Sequence, residues 1–259
     1  MRYLLFVLFM MSGAAAHADI FLEDFTWTEL RTAIAAGTAT IIIPIGGTEQ
    51  SGPHIALGKH NARVKFLAEK IAEKLGHTLV APVIAYVPEG EIDPPTSHMK
   101  FPGTITISGA TFNQMLESAA KSFKQAGFKT IVFIGDHGSY QNNEMAVAAK
   151  LNRQWKGTST RAFAALEYYA LAQGAYVETL LKKGYPRSEI GTHAALADTS
   201  LQLATVPSMV RSDKLSEGTA AVGVYGDAPK SASAELGQIG VDLIVDGTVI
   251  AIRKFLTRP

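Results

Sequence analysis

Two short apolar runs constrain the fold of this chain more than any other feature of its sequence. Residues Thr40–Ile45 and residues 130–134 are rich in β-branched side chains and apolar on both faces, which is typical of strands buried in a parallel sheet. Polar loops and amphipathic helical patterns alternate with them, and residues 79–87 and 161–166 are predicted as further strands. This alternation predicts an α/β domain with a mostly parallel sheet and helices on both faces.

The first residues have the composition of a secretory signal peptide. Arg2 precedes an apolar stretch over residues 3–11, and small residues lead to Ala18, after which we predict cleavage. The apolar stretch is too short to span a bilayer. We therefore divide the chain into a signal peptide, residues 1–18, and a single mature domain, residues 19–259, and we expect export to the periplasm or secretion.

Charge and composition argue against several function classes. The chain has 24 Lys and Arg against 23 Asp and Glu, so the sequence predicts no nucleic-acid partner and no attraction to an acidic membrane. After signal cleavage, no run of about 18 apolar residues remains that could anchor the chain. Because the sequence has no cysteine, any metal must be held by His, Asp or Glu.

Ionisable residues are concentrated in the loops that follow the two buried runs. Ligands of open parallel sheets bind at the carboxyl ends of the strands, and this rule selects residues 46–54 and 135–140. The Pro- and Gly-rich segment 88–104 is predicted to be a loop over the same site. Five histidines lie in or beside these loops or in a further polar segment, residues 191–200: His54, His60, His98, His137 and His193.

Three loop residues form a candidate zinc set. Two neutral imidazoles and one carboxylate are a catalytic zinc set that leaves the fourth position open for water. Glu49, His60 and His137 would supply these ligands. Two of them also have a structural alternative, since Glu49 could cap its loop and His60 could be a surface residue.

The order of the motifs resembles the creatininase (creatinine amidohydrolase) family. Residues 49–60 are similar to the family's first motif, Glu-Gln-His-Gly-Pro-His closing on an Asp, and residues 135–138 to its Asn-Gly-His-Gly motif. Residues 98–104 resemble a His-x-x-Phe-Pro-Gly-Thr stretch, and residues 193–200 resemble His-Ala-Gly-x-x-Glu-Thr-Ser. Residues 226–237 are similar to the C-terminal signature, so the resemblance covers nearly the whole mature chain.

The resemblance implies a three-layer α/β/α fold, a metal-dependent hydrolase of a non-peptide and often cyclic amide bond, and a homo-oligomer, commonly a hexamer. Creatininase holds two metals through Glu, His, a bridging Asp, a second His and a second Glu. Glu49 and His137 match this set, whereas Ser51, His60 and Ser139 replace the first His, the bridging Asp and the last Glu. Because a neutral imidazole cannot bridge two metals, we predict one divalent ion, zinc in the first place, with Mn²⁺ or Fe²⁺ as alternatives.

The resemblance also suggests roles for other loop residues. The metal would lower the pKa of a bound water molecule, and Asp136 or Asp198 would accept its proton. His193 matches a histidine of the family's catalytic region and is predicted to protonate the leaving nitrogen of the small amide substrate. The predicted substrate contacts lie in or beside the same loops: His54, His98, Ser139 and Tyr140.

Two other readings remain open from the sequence. Ser51 and Ser139 lie close to histidines and would suit a serine hydrolase, although the chain has no Gly-x-Ser-x-Gly elbow. Alternatively, the chain is a degenerate family member that binds a small molecule or a metal without turnover. A metal fully enclosed by four protein ligands would favour this second reading.

Overall fold

The computed structural model describes residues 20–257, and the predicted signal peptide, residues 1–18, lies outside them. The strands are β1 (Thr40–Ile45), β2 (Thr78–Val80), β3 (Thr130–Gly135) and β4 (Arg161–Ala164). The helices are α1 (Trp27–Ala35), α2 (Lys59–Leu75), α3 (Gly109–Ala126), α4 (Gln141–Gln154), α5 (Glu167–Gln173), α6 (Ala175–Lys182), α7 (Arg187–Ile190), α8 (Leu196–Thr205) and α9 (Ala234–Leu256). Within residues 20–257, no helix is both long and apolar enough to cross a membrane.

The sheet has the order β2-β1-β3-β4, and all its strands are parallel. The two central strands, β1 and β3, are buried along their whole length, as their apolar sequences predict. The strand predicted over residues 79–87 is wrong in extent, because β2 ends at Val80 and only Ile84 bridges back to the sheet. The Ala81 N–H donates to Ile42 and the Ile84 N–H to Pro44, so three residues of this segment oppose two of β1 and the segment bulges at Pro82.

Helices cover both faces of the sheet, because successive side chains of a strand point to opposite sides. Ile42 and Val132 belong to the core beneath α2, α5, α8 and α9. Ile41 and Phe133 belong to the core beneath α1, α3 and α4. The three-layer α/β/α fold predicted from the sequence is therefore confirmed.

A close approach of two helices fixes α8, which carries Asp198 into the site. At Gly237 of α9, a Cβ atom would lie only 1.9 Å from the carbonyl oxygen of Ser200 in α8. Glycine at this position therefore lets α9 lie directly against α8. The N-terminal turn of α8, which contains Asp198, is thereby held at the carboxyl edge of the sheet.

Candidate metal centre

Four elements meet at the carboxyl ends of β1 and β3. Glu49 follows β1, and His137 follows β3. The N-terminus of α2 enters from one side. The long segment between β2 and α3, residues 81–108, crosses above and contributes Glu89 and His98. Adjacent parallel strands thus bring together residues that are far apart in the sequence.

A buried cluster of carboxylates and imidazoles lies at this edge. Glu49 Oε2 is 3.2 Å from His98 Nε2 and 3.1 Å from His137 Nε2. Glu89 Oε2 is 3.7 Å from the same nitrogen of His137. One ligand atom from each of the four residues lies within 4.8 Å of all the others.

Three carboxylate oxygens in this cluster lack a hydrogen-bond partner: Glu49 Oε2, Glu89 Oε1 and Glu89 Oε2. Both side chains are completely buried. Buried carboxylates without donors are costly, and a divalent cation would satisfy them. The donor set, two imidazoles and two carboxylates, is one that zinc accepts. The residues present therefore fit the metal that the sequence predicts.

The environments of the two glutamates push their pKa values in opposite directions. Burial alone would raise the pKa of Glu49, but the charge of His60, the polar contacts with His137 and His60, and the charge of Lys59 hold it well below the usual range. Burial, followed by the adjacent charge of Glu49, raises the pKa of Glu89 to about 10. Glu89 is thus neutral near pH 7 until a cation is bound beside it.

His60 is not available as a metal ligand, contrary to the sequence prediction. Its Nδ1 lies 2.5 Å from Asp136 Oδ2, and its Nε2 lies 2.8 Å from Glu49 Oε1. Burial and Lys59 oppose the charged form of His60, but Glu49 and Asp136 outweigh them and raise its pKa. With both ring nitrogens donating to carboxylates, His60 orients Glu49 so that only Oε2 faces the cluster.

Two further cations lie beside His60 on α2. The Lys59 ammonium contacts Asp198 and lies 3.5 Å from Glu49 Oε1. Arg63 bridges Asp136 at 2.7 Å and Asp198 at 2.6 Å. Cations at a helix N-terminus oppose the helix dipole, and their burial is unfavourable as well. Glu49, Asp136 and Asp198 compensate for both effects.

Neither aspartate proposed as a general base has a free oxygen. Asp136 accepts from the Tyr168 hydroxyl at 2.7 Å in addition to His60 and Arg63. Asp198 accepts from Lys59, Arg63 and the backbone N–H of Ala194. Burial would raise the pKa values of both aspartates, but the adjacent cations hold them below their usual range. Neither aspartate is therefore placed to take a proton from water, contrary to the prediction.

His193 lines the cavity, but in a form that does not suit a proton donor. Its Nε2 donates to the backbone oxygen of Gln50 at 2.9 Å, and its Nδ1 lies 3.5 Å from Lys59 Nζ. Burial, followed by the charge of Lys59, lowers the pKa of His193 to about 3. A neutral imidazole cannot protonate a leaving nitrogen, so the predicted acid role is not supported by this geometry.

Two of the four predicted substrate contacts, Tyr140 and His54, are buried in the protein. Tyr140 is completely buried, and its hydroxyl donates to the carbonyls of Ile45 and Gly46. His54 is also completely buried, with Nε2 2.9 Å from the Thr199 hydroxyl. These two residues hold the loops rather than contact a ligand.

Of the other two predicted substrate contacts, Ser139 does not line the cavity beside the cluster, whereas His98 does. The Ser139 hydroxyl lies 2.9 Å from His137 Nδ1 and donates to the Pro88 carbonyl at 2.7 Å, so it orients the imidazole. His98 belongs to the metal cluster and also lines the adjoining cavity. Its Nδ1 lies 3.0 Å from the Gln50 side-chain amide.

A cavity of about 240 Å³ opens beside the cluster. Its walls combine charged groups with aromatic and aliphatic side chains. Six of the lining residues are Lys59, His98, His137, Tyr169, His193 and Asp198. This volume suits a small molecule rather than a folded partner.

Three residues of the site were not predicted from the sequence: Glu89, Lys59 and Arg63. Glu89 lies in the segment 88–104, which is predicted to be a loop over the site. A carboxylate in such a loop is a candidate site residue. Lys59 and Arg63 are four residues apart at the start of a helix, on one face. Because cations are unfavourable at that end, their presence indicates nearby carboxylates.

The fold and the cluster together define an α/β protein with a buried carboxylate–histidine metal site. The family profile described as creatininase, creatinine amidohydrolase, matches residues 23–252. The chain therefore belongs to the creatininase family of metal-dependent amidohydrolases, as the sequence predicts.

Individual relatives cover nearly the whole chain. The creatinine amidohydrolase of Pseudomonas putida is 25% identical over 258 residues, covering 91% of this chain and 97% of the relative. The mycofactocin precursor peptide peptidase of Mycolicibacterium smegmatis is 27% identical over 251 residues, covering 94% and 96%. A crystal structure of creatininase superposes with a TM-score of 0.76 at 22% identity, covering 93% of this chain and 100% of that one.

Proposed function

We propose that this chain hydrolyses the amide C–N bond of a small molecule with one divalent metal ion, held by Glu49, His98 and His137. The observation that carries the proposal is the set of buried carboxylate oxygens without partners beside two imidazoles. When bound, the ion would polarise the scissile carbonyl and lower the pKa of a water molecule. Zinc suits two imidazoles and one carboxylate best, with Mn²⁺ or Fe²⁺ as alternatives.

Glu89 is the general base in this proposal. Its carboxylate is buried, has no hydrogen-bond partner and faces His137. A nearby cation favours the ionised form of a carboxylate, so the raised pKa of Glu89 would fall towards neutrality on metal binding. A carboxylate tuned in this way can accept a proton from water and return it to the leaving nitrogen.

The cavity supports a small amide as the substrate. Relatives of this chain are named for a cyclic small molecule, creatinine, and for a precursor peptide. The cavity of about 240 Å³ fits the first size class better. Its wall includes Tyr169 and Tyr225, and the ring centroid of Tyr225 lies 5.5 Å from that of His193.

One observation favours a second candidate function, metal binding without turnover. If Glu89 is itself a ligand, four buried protein groups enclose the ion and no position stays open. The two candidates therefore differ in the role of a single side chain.

The variant Glu89→Gln separates the two candidates. If Glu89 is the base, the purified variant keeps about one metal per chain but loses turnover in a screen of cyclic and linear amides. If Glu89 closes the coordination sphere, the variant loses its metal, as measured by elemental analysis. Glu91→Gln is the matched control, because Glu91 is exposed on the same segment. A wild-type protein without metal, or one fully active after exhaustive chelation, would refute the proposed function.

We also propose that the chain is exported and that residues 1–18 are removed. The support is the sequence of those residues, and the mass of the protein recovered from the periplasm or the medium tests it. We propose a homo-oligomer as well, on family resemblance, and light scattering of the purified protein tests that proposal.

A further inference from the structure

We propose that the Lys59 ammonium is a built-in substitute for a second divalent cation and limits the site to one metal ion. This inference rests on the proposed function, because it presupposes the first ion at Glu49, His98 and His137. The position of the second cation is a different one, on the opposite side of the Glu49 carboxylate.

The surroundings of the Lys59 ammonium are those of a metal ion. Asp198 Oδ2 is in direct contact with Nζ, and Glu49 Oε1 and His193 Nδ1 each lie 3.5 Å from it. Lys59 is completely buried, as is Glu49. Two carboxylates and one imidazole around a single positive charge are a donor set that divalent metals also accept.

The donor atom of His193 points towards Lys59 for a reason that the fold supplies. Its Nε2 donates to the Gln50 carbonyl at 2.9 Å, which leaves the lone pair on Nδ1. That lone pair lies on the side of the ammonium. A metal ligand needs the same arrangement, with one ring nitrogen donating to a carbonyl and the other facing the cation.

Glu49 connects the two positions. Its Oε2 faces His98 and His137, whereas its Oε1 faces His60 and Lys59. A divalent ion at each oxygen would make Glu49 a bridging carboxylate. In the wild-type chain, the ammonium occupies the second position, and like charges at short range exclude a further cation.

The distances around Lys59 Nζ indicate how far the ligands of a second ion would have to move. Zinc takes oxygen and nitrogen ligands at about 2.0–2.2 Å. Glu49 and His193 lie at 3.5 Å from Nζ, so they would have to close in by about 1.3 Å. Removal of the lysine side chain provides both the space and the uncompensated negative charge for that movement.

The experiment measures Zn²⁺ stoichiometry with Zn²⁺ alone as the probe. Metal-free wild type, Lys59→Ala and Lys59→Arg are titrated with Zn²⁺ by calorimetry, and native mass spectrometry counts the bound ions. We expect one ion in the wild type, two in Lys59→Ala and one in Lys59→Arg, which keeps the charge. Lys70→Ala is the matched control, because Lys70 lies on the same helix and pairs with Glu73 outside the site.

A second variant keeps the test decisive if metal-free Lys59→Ala folds poorly. Both Lys59→Ala and Lys59→Ala/His193→Ala are then refolded in Zn²⁺, and we expect the double variant to bind one ion fewer. One ion in folded Lys59→Ala, or equal counts in the two variants, overturns the inference. Two ions in the wild type overturn it as well, whereas no ion in the wild type refutes the proposed function.

Discussion

Replacement of Glu89 by glutamine should stabilise the metal-free protein at neutral pH. Burial and the charge of Glu49 raise the pKa of Glu89 to about 10 in the folded chain. A carboxyl with a raised pKa contributes most stability below its unfolded pKa of about 4.3, and this contribution is lost as the pH rises towards the folded value. Glutamine resembles the protonated side chain in shape and is neutral at every pH.

The magnitude follows from proton linkage. Each pH unit above the unfolded pKa costs about 1.4 kcal/mol, so at pH 7.5 the wild type loses up to about 4 kcal/mol that Glu89→Gln does not lose. For a domain of this size, about 4 kcal/mol corresponds to a rise of roughly 8–16 °C in Tm. At pH 4.5 the two proteins should unfold at nearly the same temperature.

Thermal unfolding of chelator-treated protein at pH 4.5, 6 and 7.5 measures this effect. The stabilisation by glutamine should grow with pH, and Glu91→Gln should show no such trend, because Glu91 is exposed. If Glu89→Gln lowers Tm at pH 7.5, or changes it equally at all three pH values, then Glu89 is not the buried neutral acid described above.

Four further predictions concern the ligands and the core. His98→Ala should lose bound metal with little change in circular dichroism, and retention of the metal would remove His98 from the set. Tyr140→Phe should cost about 1–3 kcal/mol in urea unfolding, because the Gly46 carbonyl loses the hydroxyl donor and the His137 N–H loses its acceptor; an unchanged midpoint would contradict this. Glu144→Gln should raise stability at pH 8 but not at pH 4, since burial raises the pKa of Glu144 well above its usual range; a pH-independent difference would contradict this. Gly237→Ala should cost about 3 kcal/mol by pushing α9 from α8, and a variant as stable as the wild type would show that the helices move apart freely.

The sequence predicted those parts of the fold that local chemistry determines. β1 spans the predicted residues and β3 begins where its apolar run begins, because a strand buried on both faces needs an uninterrupted apolar sequence. β4 also begins at the predicted residue, Arg161. The strand predicted to begin at Leu79 ends early because one extra residue around Pro82 separates its hydrogen bonds to β1. The bounds of these strands are determined by residues that are close together in the sequence.

The site depended on contacts that the sequence does not specify. Glu49 and His137 come together because both follow central strands, which the parallel-sheet rule anticipates. His60 is not available as a metal ligand, contrary to the prediction, because both of its ring nitrogens are bound to Asp136 and Glu49. These contacts depend on the orientation of α2 against two loops. Glu89 enters the cluster from a segment with almost no regular structure, whose path no periodic pattern reveals.

The origin of the four cluster residues has a consequence for how such a protein can diversify. Glu49 and His137 follow strands at the centre of the sheet, where any insertion would disturb the core. Glu89 and His98 both lie on residues 81–108, which join one short strand to a helix. Exchange of this single segment would alter the proposed general base, one proposed metal ligand and the loop over the site together, with the sheet unchanged. A graft of residues 81–108 between relatives should therefore transfer metal preference and substrate range as one unit.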